Sequence, residues 1–164
     1  MITLVLGGAR SGKSALAEQL AGDLPGPVTY LATALPDADD ADHVARIRVH
    51  RERRAAGWVT VEAGTELVNA LLVTAGTAIV DSLGSWVAAH DDLAVDLDGL
   101  LAALNARVGD TVLVSEEVGL GVHPSSELGR RFRDSLGSVN LAVAEVATTV
   151  LLVVAGRVLP LERP

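Results

Sequence analysis

The hydrophobic positions of this 164-residue chain fall into short unbroken runs that alternate with stretches of helical periodicity. The unbroken runs predict strands over residues 2–6, 28–33, 58–61, 77–81, 110–115, 150–155 and 158–161. The periodic stretches predict helices over residues 14–24, 41–56, 65–73, 97–108 and 125–147, the last with an interruption at Gly137. Strands without polar alternation are typical of a parallel sheet covered on both faces. The pattern therefore predicts an α/β fold, with a mainly parallel sheet flanked by helices, in a single domain over residues 1–164.

Composition narrows the classes of partner. The chain has no cysteine, which excludes disulfides and thiolate metal sites, and aromatic residues make up only 2%, which leaves little for base stacking. A formal charge of −8 does not attract a polyanion. The most apolar late stretch, residues 141–156, contains Glu145, Thr148 and Thr149 and falls short of the roughly 20 residues of a membrane span. We expect a cytoplasmic protein that binds neither nucleic acid nor membrane.

One glycine-rich motif lies between the first predicted strand and the first predicted helix. It consists of Gly7, Gly8, Ala9, Arg10, Ser11, Gly12, Lys13 and Ser14. This order matches the phosphate-binding P-loop, in which backbone N–H groups surround a polyphosphate at a helix N-terminus. Lys13, the only lysine of the chain, is expected to reach the β- and γ-phosphates, and the Ser14 hydroxyl to bind Mg²⁺. The motif predicts a P-loop NTPase fold, of RecA-like type, that binds a nucleoside triphosphate.

A Mg²⁺ ion on the phosphates calls for a carboxylate at the end of a neighbouring strand. Asp81 and Glu117 are the two candidates, because each follows an apolar strand, although an acid there can equally be solvated or cap a helix. Successive side chains of a strand alternate between faces, so we expect Glu116 to face away from the phosphate site. The sequence leaves open whether Asp81 or Glu117 contacts the metal.

Five of the twelve arginines lie within residues 46–54, around His50. One interpretation is a solvated helix face that pairs with the preceding aspartates. The other is a basic helix that brings guanidinium groups onto a polyphosphate, with the neutral His50 imidazole as a nucleophile toward phosphorus. The residues alone leave both interpretations open.

The order of these motifs resembles the adenosylcobinamide kinase / adenosylcobinamide-phosphate guanylyltransferase family of cobalamin biosynthesis. The matching segments are residues 7–14, 30–33, 46–51, 58–62, 81–87, 114–124, 131–140 and 153–156. The P-loop alone is generic, whereas the arginine–histidine segment and the Glu117-Val-Gly-Leu-Gly121 block are specific. The resemblance covers nearly the whole chain.

The resemblance implies a bifunctional enzyme. A nucleoside triphosphate, ATP or GTP, would phosphorylate adenosylcobinamide, and GMP would then pass from GTP to the product through a guanylylated His50. The resemblance also implies a homotrimer. The further nucleotide contacts that it implies are Ala32, Thr33, Ala34, Arg51, Glu52, Arg53, Arg54, Glu62 and Asp81.

Two alternatives share the P-loop. A single-activity small-molecule kinase would keep γ-phosphate transfer without a covalent nucleotide. A GTP-dependent switch would hydrolyse GTP slowly, but the Asn-Lys-x-Asp motif that reads guanine needs a second lysine, which the chain lacks.

Overall fold

The described strands all join one sheet in the computed structural model, which describes residues 1–34 and 54–163. The strands are β1 (Ile2–Gly7), β2 (Val28–Ala32), β3 (Val59–Glu62), β4 (Thr77–Asp81), β5 (Thr111–Glu116), β6 (Thr149–Val154) and β7 (Arg157–Leu161). The helices are α1 (Lys13–Gly22), α2 (Leu67–Val73), α3 (Leu83–Ala88), α4 (Leu97–Ala106) and α5 (Glu127–Val146), and a 3-10 turn over Gly64–Glu66 leads into α2. The predicted single α/β domain with helices flanking a mainly parallel sheet is confirmed.

The sheet runs in the order β3-β2-β4-β5-β1-β6-β7, and only β7 is antiparallel to its neighbour. The register brings the carboxyl ends of five strands to one edge: Gly7 pairs with Glu116, and Ala32 pairs with both Glu62 and Asp81. Ligands of open parallel sheets bind at this edge, because the loops that follow the strands meet there.

The core lies on both faces of the sheet. On one face α2, α3, α4 and α5 pack against side chains such as Leu4, Val80 and Leu113. On the other face α1 packs Ala17 and Ala21 against a cluster that includes Tyr30. Because helices bury both faces of the sheet, the sequences of the inner strands are unbroken apolar runs. No helix within the described residues is long and apolar enough to cross a membrane.

Two elements differ from the sequence prediction. Helix α3 was not predicted, and it begins directly after β4, where the Ser82 hydroxyl caps it by accepting the Ser85 N–H at 3.2 Å. Helix α5 runs without the break predicted at Gly137, because the packing of Leu136 and Val139 outweighs the roughly 1 kcal/mol that a glycine costs. The helix predicted over 41–56 lies mostly outside the described residues.

The amino-terminal edge of the sheet is tied together by one half-buried arginine. Arg107, which follows α4, donates to the carbonyl oxygens of Leu71, Thr74 and Gly76 at 2.6, 2.7 and 2.8 Å, and to Thr111 Oγ1 at 3.0 Å. Burial lowers the pKa of this guanidinium from its ordinary value. Arg107 therefore satisfies the carbonyls at the end of α2 and joins them to the start of β5.

Candidate active site

The glycine-rich loop forms the expected strand-to-helix connection. β1 ends at Gly7, and α1 begins at Lys13 behind Gly12, whose φ of 98° is in the left-handed region that favours glycine. Gly12 offers no side-chain cap, and the first turn of α1 has no acidic residue. The N-terminus of α1 therefore keeps the positive end of its dipole for an anion, as a phosphate site requires.

The loop lies against the turn of the β6–β7 hairpin. A Cβ on Gly7 would come within 2.8 Å of the Val153 carbonyl oxygen and 2.5 Å of Ser11 Oγ, so only glycine fits there. The Gly156 N–H donates to the Ser11 carbonyl oxygen at 2.9 Å. Gly8, in contrast, is exposed, and its Cα faces open space where a phosphate can approach the backbone.

Lys13 turns back over the loop. Its Nζ lies 3.4 Å from the Gly8 carbonyl oxygen and 3.4 Å from Glu116 Oε1, and only 12% of its side chain is exposed. The ammonium group is thus held above the loop backbone. This is the position in which a P-loop lysine meets the β- and γ-phosphates.

The partner of Lys13 corrects one expectation. Glu116 was expected to face away from the phosphate site, and that prediction is wrong, because its Oε1 lies 3.4 Å from Lys13 Nζ. β5 extends through Glu116, so this residue ends its strand at the edge where the loop lies. Glu117 follows the strand, and its Oε1 accepts the Gly119 N–H at 2.6 Å. That contact turns the Glu117 carboxylate toward its own loop. Its role as a metal ligand stays a prediction.

Asp81 ends β4 beside a buried tyrosine. The Tyr30 hydroxyl donates to Asp81 Oδ2 at 2.6 Å. Burial raises the pKa of Tyr30 well above its ordinary value, and the Asp81 carboxylate raises it further through its charge and the hydrogen bond. Tyr30 therefore remains a donor at every physiological pH and fixes the orientation of a carboxylate at the site edge.

The end of β2 is locked onto the start of α3. Thr33 is fully buried, and its hydroxyl donates to the Ser82 carbonyl oxygen at 2.6 Å and accepts the Ser82 N–H at 2.9 Å. Ala32 is buried and Ala34 half-buried at the same edge. The predicted nucleotide contacts at 32–34 thus lie at the edge of the sheet formed by the carboxyl ends of the strands. The Thr33 side chain, however, already makes its hydrogen bonds to Ser82 within the protein.

Arg54 lies on the other side of Tyr30. Its guanidinium carbon is 3.7 Å from the centre of the Tyr30 ring, and one of its terminal nitrogens donates to Thr60 Oγ1 at 2.9 Å. The sequence singled out Arg54, but nothing in it indicated this stacking. Glu62, another predicted contact, ends β3 at the same edge and is exposed. The predicted site residues His50, Arg51, Glu52 and Arg53 lie outside the described residues.

The donor set fits a hard cation that shares its ligands with phosphates. Oxygen donors lie at the start of α1 (Ser14), at the end of β4 (Asp81) and at the end of β5, where Glu117 directly follows Glu116. Within residues 1–34 and 54–163 no cluster of three or more His, Asp or Glu side chains forms an all-protein metal cage. Mg²⁺ in nucleotide sites needs only one or two carboxylates besides the phosphates, so the two observations agree.

Comparison with known proteins gives matches over nearly the whole chain. The family model described as cobinamide kinase / cobinamide phosphate guanyltransferase, CobU, matches residues 3–161. The bifunctional adenosylcobalamin biosynthesis protein CobP of Pseudomonas aeruginosa is 42% identical over 171 residues, which cover 99% of this chain and 98% of that protein. CobU of Salmonella typhimurium, with the same description, is 38% identical over 178 residues, covering 95% of this chain and 97% of that protein. Among solved structures, the flagellar accessory protein FlaH from Methanocaldococcus jannaschii has a TM-score of 0.48 at 16% identity, covering 96% of this chain and 74% of that one.

Proposed function

Because this chain belongs to the cobinamide kinase / cobinamide phosphate guanyltransferase family, we propose that one phosphate-binding loop serves both of its reactions. The chain is a bifunctional enzyme of adenosylcobalamin biosynthesis that uses nucleotide substrates. The observation that carries the proposal is the position of Lys13 Nζ, 3.4 Å above the Gly8 carbonyl oxygen at the N-terminus of α1. A triphosphate there meets a cation, backbone N–H groups and a helix dipole together.

In the kinase step, the hydroxyl oxygen of adenosylcobinamide attacks the γ-phosphorus of ATP or GTP. The bond between the γ-phosphorus and its bridging oxygen breaks, the nucleoside diphosphate leaves, and the proton of the attacking hydroxyl is released to solvent. Lys13 and the loop N–H groups hold the β- and γ-phosphates and neutralise the charge that develops on them. Mg²⁺, held by Ser14 with Asp81 or Glu117, would supply further charge neutralisation on the phosphates.

In the transfer step, we assign the nucleophile to His50. An imidazole nitrogen attacks the α-phosphorus of GTP, a P–N bond forms, and pyrophosphate leaves. A phosphate oxygen of the cobinamide phosphate then attacks the same phosphorus, the P–N bond breaks, and the imidazole is regenerated. Ala32, Thr33, Ala34, Arg51, Glu52, Arg53, Arg54, Glu62 and Asp81 are the proposed further nucleotide contacts.

The covalent step has a direct test in α-labelled GTP. We expect the wild-type protein to take up label that is lost in acid and kept in base, as a phosphoramidate requires, and His50→Ala to take up none. His43→Ala, which changes the histidine nearest to His50 in the sequence, is the matched control and keeps the label. Labelling of His50→Ala shows that the nucleophile is another residue. A wild-type chain that transfers γ-phosphate without ever being labelled is a single-activity kinase.

We also propose that the chain is a homotrimer in the cytoplasm. In support, β7 ends the sheet, and its Val158 and Leu159 are 46% and 56% exposed, an apolar strand edge of the kind that self-association covers. Light scattering should give three times the 16.9 kDa chain mass. Leu159→Glu should lower that mass, and Val108→Glu, at a fully exposed valine outside β7, should not. A monomeric wild type contradicts the proposal.

A further inference from the structure

The Glu116 carboxylate lies against the ammonium group with which Lys13 would meet a phosphate. Its Oε1 is 3.4 Å from Lys13 Nζ, and 31% of its side chain is exposed toward the open edge of the sheet. A phosphate oxygen that contacts the same ammonium group must therefore come within several ångströms of a second negative charge. None of the sequence patterns assigned a role to this residue.

The start of α3 holds the carboxylate in place. Oε2 accepts a hydrogen bond from the Ser82 hydroxyl at 3.0 Å, and it lies so close to Gly84 that a Cβ there would be 2.0 Å from it. The backbone is fixed as well, because Asn140 Nδ2 donates to the Glu116 carbonyl oxygen at 3.1 Å. Glu116 is thus positioned by α3 and α5, and a phosphate meets this charge in a defined place.

A phosphate and a carboxylate at this spacing repel each other, and the single positive charge of Lys13 does not neutralise both, so a further cation is needed between them. We propose that Glu116 is a positioning residue that makes triphosphate binding depend on the divalent cation. Without the cation, its charge opposes the β- and γ-phosphates and competes with them for Lys13. With the cation, the same carboxylate attracts the metal–nucleotide complex. This inference rests on the proposed function, since it concerns the phosphate site of the P-loop.

The experiment measures nucleotide affinity by calorimetry, with and without Mg²⁺. The probe is the α,β-methylene analogue of GTP, in which neither His50 nor water can cleave the α–β bond. For the wild-type protein we expect weak binding in EDTA and tight binding in Mg²⁺. Glu116→Gln keeps the shape and an acceptor for Ser82 but removes the charge. Its affinity in EDTA should rise roughly tenfold, the effect of one charge pair at a partly exposed site, without a matching gain in Mg²⁺.

Two further variants separate the charge from other effects. Glu116→Ala removes the same charge without introducing an amide and must change the affinity in the same direction. Asp110→Asn removes an equal charge at the opposite edge of the sheet, about 20 Å from Glu116 along β5, and should leave both affinities unchanged.

The outcomes distinguish the inference from the proposed function. If the Glu116 variants bind more tightly by the same factor in EDTA and in Mg²⁺, the carboxylate only competes for Lys13, and metal coupling is refuted. If they behave like the wild-type protein, Glu116 has no role in binding. If the wild-type protein does not bind the analogue even in Mg²⁺, the proposed function fails instead.

Discussion

Raising the pH tests the contact between Tyr30 and Asp81 directly, because Tyr30 is the only tyrosine of the chain. Its hydroxyl is buried and donates to Asp81 Oδ2 at 2.6 Å, and burial followed by the Asp81 charge raises its pKa above the ordinary value of 10.0. The folded protein therefore keeps a proton that the unfolded chain releases near pH 10. The contact between Tyr30 and Asp81 should therefore be seen as the absence of a tyrosine titration near pH 10 in the folded protein.

The sign and size of the effect follow from linkage. A raised folded-state pKa contributes stability that is complete below pH 10 and is lost as the pH rises toward the folded-state pKa. For one proton the free energy of unfolding falls by at most about 1.4 kcal/mol per pH unit above pH 10. Tyr30→Phe has no proton to lose, so this component of the pH dependence should be absent in the variant.

The assay follows phenolate absorbance near 295 nm together with the far-ultraviolet circular dichroism. In urea the tyrosine should titrate near pH 10, and in the folded protein phenolate should appear only when the dichroism is lost. Asp81→Asn, which removes the second cause but not burial, should bring the pKa of Tyr30 closer to 10 without reaching it. Phenolate that forms near pH 10 while the dichroism remains native would refute the buried, hydrogen-bonded geometry.

Two further predictions concern stability and the phosphate site. Arg107→Met leaves three backbone carbonyls without a charged donor and should cost about 3 kcal/mol. This lowers the melting temperature by roughly 6–12 °C, and Arg107→Lys should recover only part of it. An unchanged melting temperature would show that water replaces the guanidinium at no cost. Gly84→Ala displaces the Glu116 carboxylate, so nucleotide affinity in EDTA should rise as in Glu116→Gln, though by less. Identical affinities for Gly84→Ala and the wild-type protein would mean that the carboxylate tolerates the added methyl group.

The parts of the site that the sequence predicted are those fixed by local chemistry. The Gly7–Ser14 loop needs only its own residues and the two elements it joins, so its motif specifies its shape. The position of Asp81 follows equally directly, because parallel strands bring their carboxyl ends to one edge.

The sequence predictions were wrong or incomplete where the outcome depends on the exact end of a strand, on a very short helix or on a contact between distant residues. Glu116 and Glu117 differ by one position, and which of them faces Lys13 depends on where β5 ends. Helix α3 has only six residues, too few for a periodic signal, and follows its strand without a loop. The stacking of Arg54 on Tyr30 joins residues that are distant in sequence, and no local pattern encodes it.

The hydrogen bond from Gly156 to Ser11 joins the phosphate loop to the hairpin at the end of the sheet. The turn of that hairpin has two consecutive residues with positive φ, Ala155 at 50° and Gly156 at 71°, so its shape is sharply defined. A contact that restrains β7 therefore also restrains the phosphate-binding loop. The coupling free energy between binding at β7 and nucleotide binding at the loop is reciprocal, so each affects the other by the same amount. A subunit docked on β7 would thereby alter nucleotide affinity, and the dissociation constant measured for the nucleotide would change with protein concentration.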